Sequence, residues 1–229
     1  MTDGIHSGRR ARMKKRYREQ GLDGFEDHEA LELLLYYALP RIDVNPLAHT
    51  LLKRFGSFHG VLDASPEALT ELEGVGENAA ALLGLVKDLN RRYLLDRQRE
   101  DRQLSLDTPE AAERFFLPYF YGVREERVYV AFVDDALRLL NCRLLFEGSL
   151  SDVPVSVRRL AELVIREKAT GLLLAHNHPR GHAIPSVEDR QATQRIRAAL
   201  EAVQIRLLDH VIVAGGETYS MSAHGSFER

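Results

Sequence analysis

Cysteine is nearly absent from this 229-residue sequence, and tryptophan is absent altogether. The single thiol, Cys142, excludes an intrachain disulfide and any zinc finger built from several cysteines. Charge of one sign is also lacking: 31 Lys and Arg stand against 34 Asp and Glu, a formal charge of −3. That balance excludes a strongly basic nucleic-acid coat and a polyacidic tail protein. Long hydrophobic runs are missing as well. The most apolar window, residues 31–39, carries Glu32 and stops at Pro40, short of the roughly 18–20 apolar residues that a membrane span needs. The basic start (Arg9, Arg10, Arg12, Lys14, Lys15, Arg16, Arg18) runs into Glu19, Gln20 and Gly21, not into the apolar stretch of a signal peptide. A soluble, cytoplasmic protein with no membrane partner is expected. What is present suits a globular chain of one or two domains, with 45% hydrophobic and 28% charged residues. Nine histidines are the unusual count.

The near-neutral total hides an uneven distribution. Residues 1–20 carry a net charge of +5, and residues 21–90 carry −8, from four basic and twelve acidic residues. Residues 96–102, DRQREDR, contain no apolar residue and read as a solvated helix end or linker, the best boundary in the chain. Before it the rhythm is helical, with Leu31, Leu34 and Leu35, then Leu47, Leu51 and Leu52, at helical spacing. Ser65-Pro66-Glu67 is a helix start, with Ser as N-cap, Pro in the first position and acid in the first turn. Gly74-Val75-Gly76 ends that helix, and Thr108-Pro109-Glu110 repeats the start signal. Beyond it, residues 128–133 (VYVAFV), 143–146, 171–175 and 207–214 read as strands, and 157–168 and 187–203 as helices. A small all-helical domain followed by an α/β domain is expected.

The stretch 172–189, LLLAHNHPRGHAIPSVED, carries the chemistry. In an extended chain residues i and i+2 share a face, so His176 and His178 converge; on a helix they would diverge. Pro179 and Gly181 force a loop at the strand end, where sheet proteins place their sites. Pro185-Ser186 opens the next helix, with Asp189 in its first turn. Two imidazoles and a carboxylate make a three-ligand zinc set with a fourth position open, the catalytic type of site. His182 reads as a loop residue. Ser186-x-x-Asp189 is equally a helix-capping pattern, so on the residues alone both readings stand.

Taken together, HNHP, PS..D, Leu207-Leu208-Asp209-His210 and an end at Ser226-Phe227 resemble the RadC proteins, whose C-terminal domain belongs to the JAMM/MPN metalloprotease superfamily. The spacing His176-x-His178, seven residues, Ser186, two residues, Asp189 matches that signature in full. The resemblance implies an α/β fold: a small all-α N-terminal domain over 1–98, a linker over 99–107, and a JAMM/MPN-type mixed β-sheet flanked by helices over 108–229. It implies Zn²⁺ held by His176, His178 and Asp189, with Ser186 hydrogen-bonding the developing oxyanion or the attacking water. It also implies a glutamate general base at the start of the first strand. Glu125 and Glu126 both precede residues 128–130; the family pattern favours Glu126, and Glu147 is a rival. The implied activity is hydrolysis of a peptide or isopeptide bond in a peptide or protein substrate. The alternative is a DNA-associated adaptor or repair-related protein whose metal site is structural or non-catalytic. The chain departs from the family at Arg180 and at His182-Ala183-Ile184, which bears on what the loop accepts.

Residues 72–80 resemble the hairpin of a helix-hairpin-helix motif lying within about 55–92. There Gly74 and Gly76 would turn backbone amides toward a DNA phosphate. A plain helix–helix turn is the competing reading. Glu73 and Glu77 flank the turn, whereas phosphate contacts normally come from Lys and Arg. Nuclease chemistry is discounted despite the letters H-N-H at 176–178, because nuclease motifs of that name space their residues widely.

Overall fold

A computed structural model describes residues 3–100, 104–148 and 153–226. Asp101 and Arg102 of the charged run, together with Gln103 and Phe227, lie outside the described residues. The chain divides into two compact units, residues 1–90 and 91–229. No helix among the described residues is long and apolar enough to cross a membrane.

The first unit is helical: α1 (Asp3–Gln20), α2 (Asp27–Ala38), α3 (Asn45–Phe55), α4 (Phe58–Asp63), α5 (Pro66–Thr70) and the first part of α6 (Glu77–Glu100). Ser65 caps α5 by accepting from the Ala68 amide at 3.1 Å, and Pro66 occupies the first turn, where a missing N–H costs nothing. Gly56 ends α3 at φ 83, a left-handed conformation that glycine adopts without strain. Leu31, Leu35, Leu51, Val61 and Leu83 are fully buried in a common core. The charged run is helix as far as Glu100, since Arg, Gln and Glu are all good helix formers and need no apolar face to continue a helix already begun.

The basic residues of α1 hold this unit together. Glu32 is completely buried, and Arg9 meets it through two bonds, Nε to Oε2 at 3.0 Å and Nη2 to Oε1 at 2.7 Å. Tyr36 Oη donates to Oε2 at 2.9 Å and Asn45 Nδ2 to Oε1, so the carboxylate has four donors. Burial works against the Glu32 charge, but these bonds outweigh it and hold the carboxyl below the usual range. Arg10 donates to the carbonyls of Leu39, Pro40 and Ile42, satisfying the C-terminal end of α2, and Arg16 pairs with Glu29 at 3.1 Å.

The second unit holds the end of α6, then α7 (Pro109–Phe116), a 3-10 turn (Leu117–Phe120), β1 (Arg127–Val133), β2 (Leu139–Glu147), α8 (Val153–Glu167), β3 (Gly171–Asn177), α9 (Val187–Glu201), β4 (Arg206–Ala214) and β5 (Glu217–Ser220). Thr108 caps α7 by accepting from the Ala111 amide at 3.2 Å. The sheet order is β2-β1-β3-β4-β5; β3 and β4 are parallel, joined through α9, and the other neighbours are antiparallel. This is the mixed, helix-flanked α/β arrangement expected from the sequence.

Both faces of the central strands are covered, which is why VYVAFV and LLLA are continuous apolar runs and do not alternate. On one face Val128, Val130, Phe132, Leu172 and Leu174 pack with Leu160 and Val164 of α8 and Ile196 and Leu200 of α9. On the other, Tyr129, Ala131, Leu173, Ala175 and Val211 pack with Phe115 and Phe116 of α7. Burying a side chain such as Phe116 or Phe132 contributes about 1.5–3 kcal/mol. The β3–β4 pairing slips by one residue between Leu172↔Leu207 and Leu173↔Asp209, leaving Leu208 as the extra residue of a bulge.

Arg9→Ala is expected to destabilise the first unit by about 2–3 kcal/mol, because it strands a buried carboxylate. Native-state amide exchange at Leu31, Leu35 and Leu51 measures the loss. Since the folded carboxyl of Glu32 titrates below its unfolded range, its contribution is complete above that range and fades as pH falls through the depressed value. Glu32→Gln should flatten that acid limb.

Candidate metal centre

The site forms where β3 ends. His176 is in the strand, and the His178 amide still donates to the Val213 carbonyl at 2.8 Å, so the extended geometry carries on past Asn177. That extension turns the two rings toward one point, as the i, i+2 spacing requires. His176 Nε2 and His178 Nε2 stand 3.0 Å apart. Asp189, in the first turn of α9, places Oδ1 3.2 Å from His176 Nε2 and Oδ2 3.3 Å from His178 Nε2. One ligand atom from each of the three residues lies within 4.8 Å of the others, and no further group of three or more such residues occurs among the described residues. His176 and Asp189 are buried and His178 is partly exposed.

Whether these donors suit a cation is decided by where their protons lie. The Asp189 backbone carbonyl can only accept, so Thr193 Oγ1 donates to it at 2.6 Å. Thr193 Oγ1 therefore accepts from His210 Nδ1, also at 2.6 Å. His210 is fully buried, and burial followed by the neighbouring His176 holds its pKa well below the ordinary histidine value, so its other nitrogen is bare. His176 Nδ1 must then donate to His210 Nε2, at 2.8 Å, so the neutral His176 ring carries its lone pair on Nε2. The second ring reaches the same state by a shorter route: His178 Nδ1 donates to the His182 carbonyl at 2.9 Å. Two lone pairs and a carboxylate thus face one point. Ligand atoms at about 2.0–2.1 Å from a tetrahedral zinc would stand roughly 3.3 Å apart, close to the spacings found. The donor set fits a zinc-type ion.

Ser186 and Asp189 form the helix cap, and the same bonds orient the carboxylate of the candidate site. Ser186 Oγ accepts from the Asp189 amide at 3.0 Å, while the Ser186 amide and hydroxyl donate to Asp189 Oδ2 at 2.8 and 2.6 Å. This is a full capping box, and it also fixes the carboxylate, leaving Oδ1 free of Ser186 bonds. Burial works against the Asp189 charge, but a proton on His176 Nε2, which a bound ion would replace, and the Ser186 donors hold the carboxyl far below the usual range. A Cβ on Gly181 would lie 3.3 Å from His178 Cβ, so glycine keeps the loop clear of that ring.

Sequence reasoning gave no role to His210 or Thr193. Plain alternation from Leu207 would put Asp209, not His210, on the face of Leu172 and His176. The bulge at Leu208 resets the phase, so His210 pairs with Leu174 and shares that face. Of the candidate bases, Glu126 is half-buried just before β1; counting the antiparallel register on from Val128↔His176 puts it opposite His178. Glu147 instead pairs with Arg127, Nη2 to Oε1 at 2.9 Å, and shares its register position, on the opposite face from Val128. Glu125 is exposed.

A family profile described as RadC-like JAB domain matches residues 106–226. A UPF0758 protein of Burkholderia mallei (strain SAVP1) is 38% identical over 213 residues, covering 93% of this chain and 76% of that protein. One from Burkholderia thailandensis is also 38% identical, covering 93% and 80%, and one from Burkholderia cenocepacia (strain HI2424) is 34% identical over 215 residues, covering 93% and 82%. The chain belongs to the RadC family. In this RadC chain Gly74 and Gly76 lie in the turn between α5 and α6; Gly74 takes φ 91 and Val75 is buried in the helical core. Exposed Glu73 and Glu77 flank that turn, and Arg9, Arg10 and Arg16 are engaged by other groups of the helical unit.

Removing His210 with its orienting bonds should weaken zinc binding by roughly 10–100-fold, whereas His176→Ala and Asp189→Ala should abolish stoichiometric uptake. Competition of the purified RadC variants against a chromophoric chelator gives both results. Undiminished affinity in His210→Ala would remove the relay from the account.

Proposed function

We propose that this chain is a zinc-dependent hydrolase of the JAMM type, cleaving a peptide or isopeptide bond in a peptide or protein substrate. The observation that carries the reading is the convergence of the two Nε2 atoms on the carboxylate of Asp189, with each ring's Nδ1 engaged by His210 or by the His182 carbonyl. His176, His178 and Asp189 would hold zinc, which supplies a Lewis acid and lowers the pKa of water to about 7. Three protein donors leave a position open, as hydrolysis requires and a closed structural site does not. Glu126 accepts the proton of the attacking water and delivers it to the leaving amine. Ser186 turns its hydroxyl from Asp189 Oδ2 to the developing oxyanion, while the Ser186 amide keeps its own bond to that oxygen. Exposed Ile184 and Val187 flank Pro185-Ser186 and give a substrate chain an apolar surface beside the site.

Glu126→Gln is expected to keep zinc and lose about 10²–10⁴-fold in turnover. Wild-type protein stripped with a chelator should be inactive and recover on adding zinc. Cleavage of a quenched-fluorescent peptide library measures both, and turnover by Glu126→Gln equal to wild type would exclude that residue.

A further inference from the structure

Asn177, between the two histidines, is buried, takes no part in the ligand cluster, and both ends of its amide are committed. Its Oδ1 accepts from the Arg127 amide at 2.8 Å, and its Nδ2 donates to the Glu125 carbonyl at 3.1 Å. Those two groups belong to the two peptide planes that meet at the Glu126 Cα. One side chain therefore fixes both planes, and with them the direction in which the Glu126 side chain leaves the backbone. The remaining group of the second plane, the Glu126 carbonyl, accepts from the Gly148 amide at 2.8 Å on the β2 side.

The place of the clamp is as telling as its bonds. Pairing between β1 and β3 stops at Val128↔His176, so Arg127 and Asn177 are the first residues beyond the ladder. There a backbone pair would have held a single register position. The carboxamide, offering one acceptor and one donor, spans three residues and bridges the chain across Glu126. An aspartate would lose the donor, and a serine is too short to reach both groups.

We infer that Asn177 is a positioning residue: it holds the Glu125–Arg127 backbone so that Glu126 is aimed across β1–β3 toward the His176–His178–Asp189 cluster. The inference rests on the reading of Glu126 as the general base, and assigns the middle letter of H-N-H a task distinct from that of its neighbours.

Amide exchange followed by NMR on the full chain tests the clamp without metal or substrate. In wild type the Arg127 amide should be protected. In Asn177→Ala it should exchange on the order of 10–100-fold faster, with Val130 and Ala131 inside the ladder unchanged. In Asn177→Asp, which keeps the acceptor, protection should persist; this variant and the wild type decide the matter if the alanine protein does not fold. An unprotected Arg127 amide in wild type, or equal exchange in wild type and Asn177→Ala, overturns the inference. Cobalt is the probe for the link to Glu126. Asn177→Ala should bind one equivalent and alter the visible spectrum in the manner of Glu126→Gln, and the double variant should add nothing further. Independent, additive spectral changes overturn the inference. If the wild type takes up no cobalt, the metal-hydrolase reading falls, and Arg127 exchange still judges the clamp.

Discussion

A carbonyl oxygen cannot donate, and the geometry around the metal cluster follows from that fact at Asp189. Because Thr193 must donate to this carbonyl, the proton of each later bond is assigned in turn through His210 to His176. Every member of the relay is buried, so water offers no alternative partner and the order is held by the protein alone. The relay starts on the backbone of one ligand and ends on the ring of another. His176 and Asp189 are thus coupled through the protein as well as by facing each other, and the shape of the cluster is set by the fold.

Helix α9 makes this coupling possible. Its first turn supplies Asp189 and its second supplies Thr193, four residues on and so on the same side. The helix also forms the crossover that brings β4 parallel to β3, so the strand carrying His210 lies beside the strand carrying His176. Near the helix start, the free amides and the dipole favour a carboxylate, and the capping box fastens it. Stability of the helix and placement of the Asp189 carboxylate are one set of bonds.

Much of this was legible in the sequence because it is local. Ser65, Thr108 and Ser186 each cap the helix that their following residues announce, and the central strands declare themselves by apolar runs that only doubly covered strands carry. The convergence of His176 and His178 followed from a period of two. What was not legible depends on neighbours remote in sequence. The short edge strand β5, with polar Thr218 and Ser220, has no apolar signature. His210 acquires its role only through the bulge at Leu208, a one-residue change of phase that no pattern in residues 206–214 reveals. The charged run was read as a helix end or linker; α6 continues into it as far as Glu100, because its residues favour a helix. Similarly, nothing in the basic run 9–18 itself reveals that three of its arginines serve the helical unit.

The double bond of Ser186 to one oxygen of Asp189 has a consequence for the identity of the ion. With Oδ2 already accepting from an amide and a hydroxyl, the carboxylate offers one free oxygen and not a chelating pair. Calcium, which seeks six to eight oxygens, and magnesium, which seeks an octahedron of them, would find a single suitable donor beside two imidazoles. Borderline first-row cations with an affinity for nitrogen meet no such deficit. A hydrogen bond made to start a helix therefore also biases the cluster, as a candidate metal site, away from calcium and magnesium.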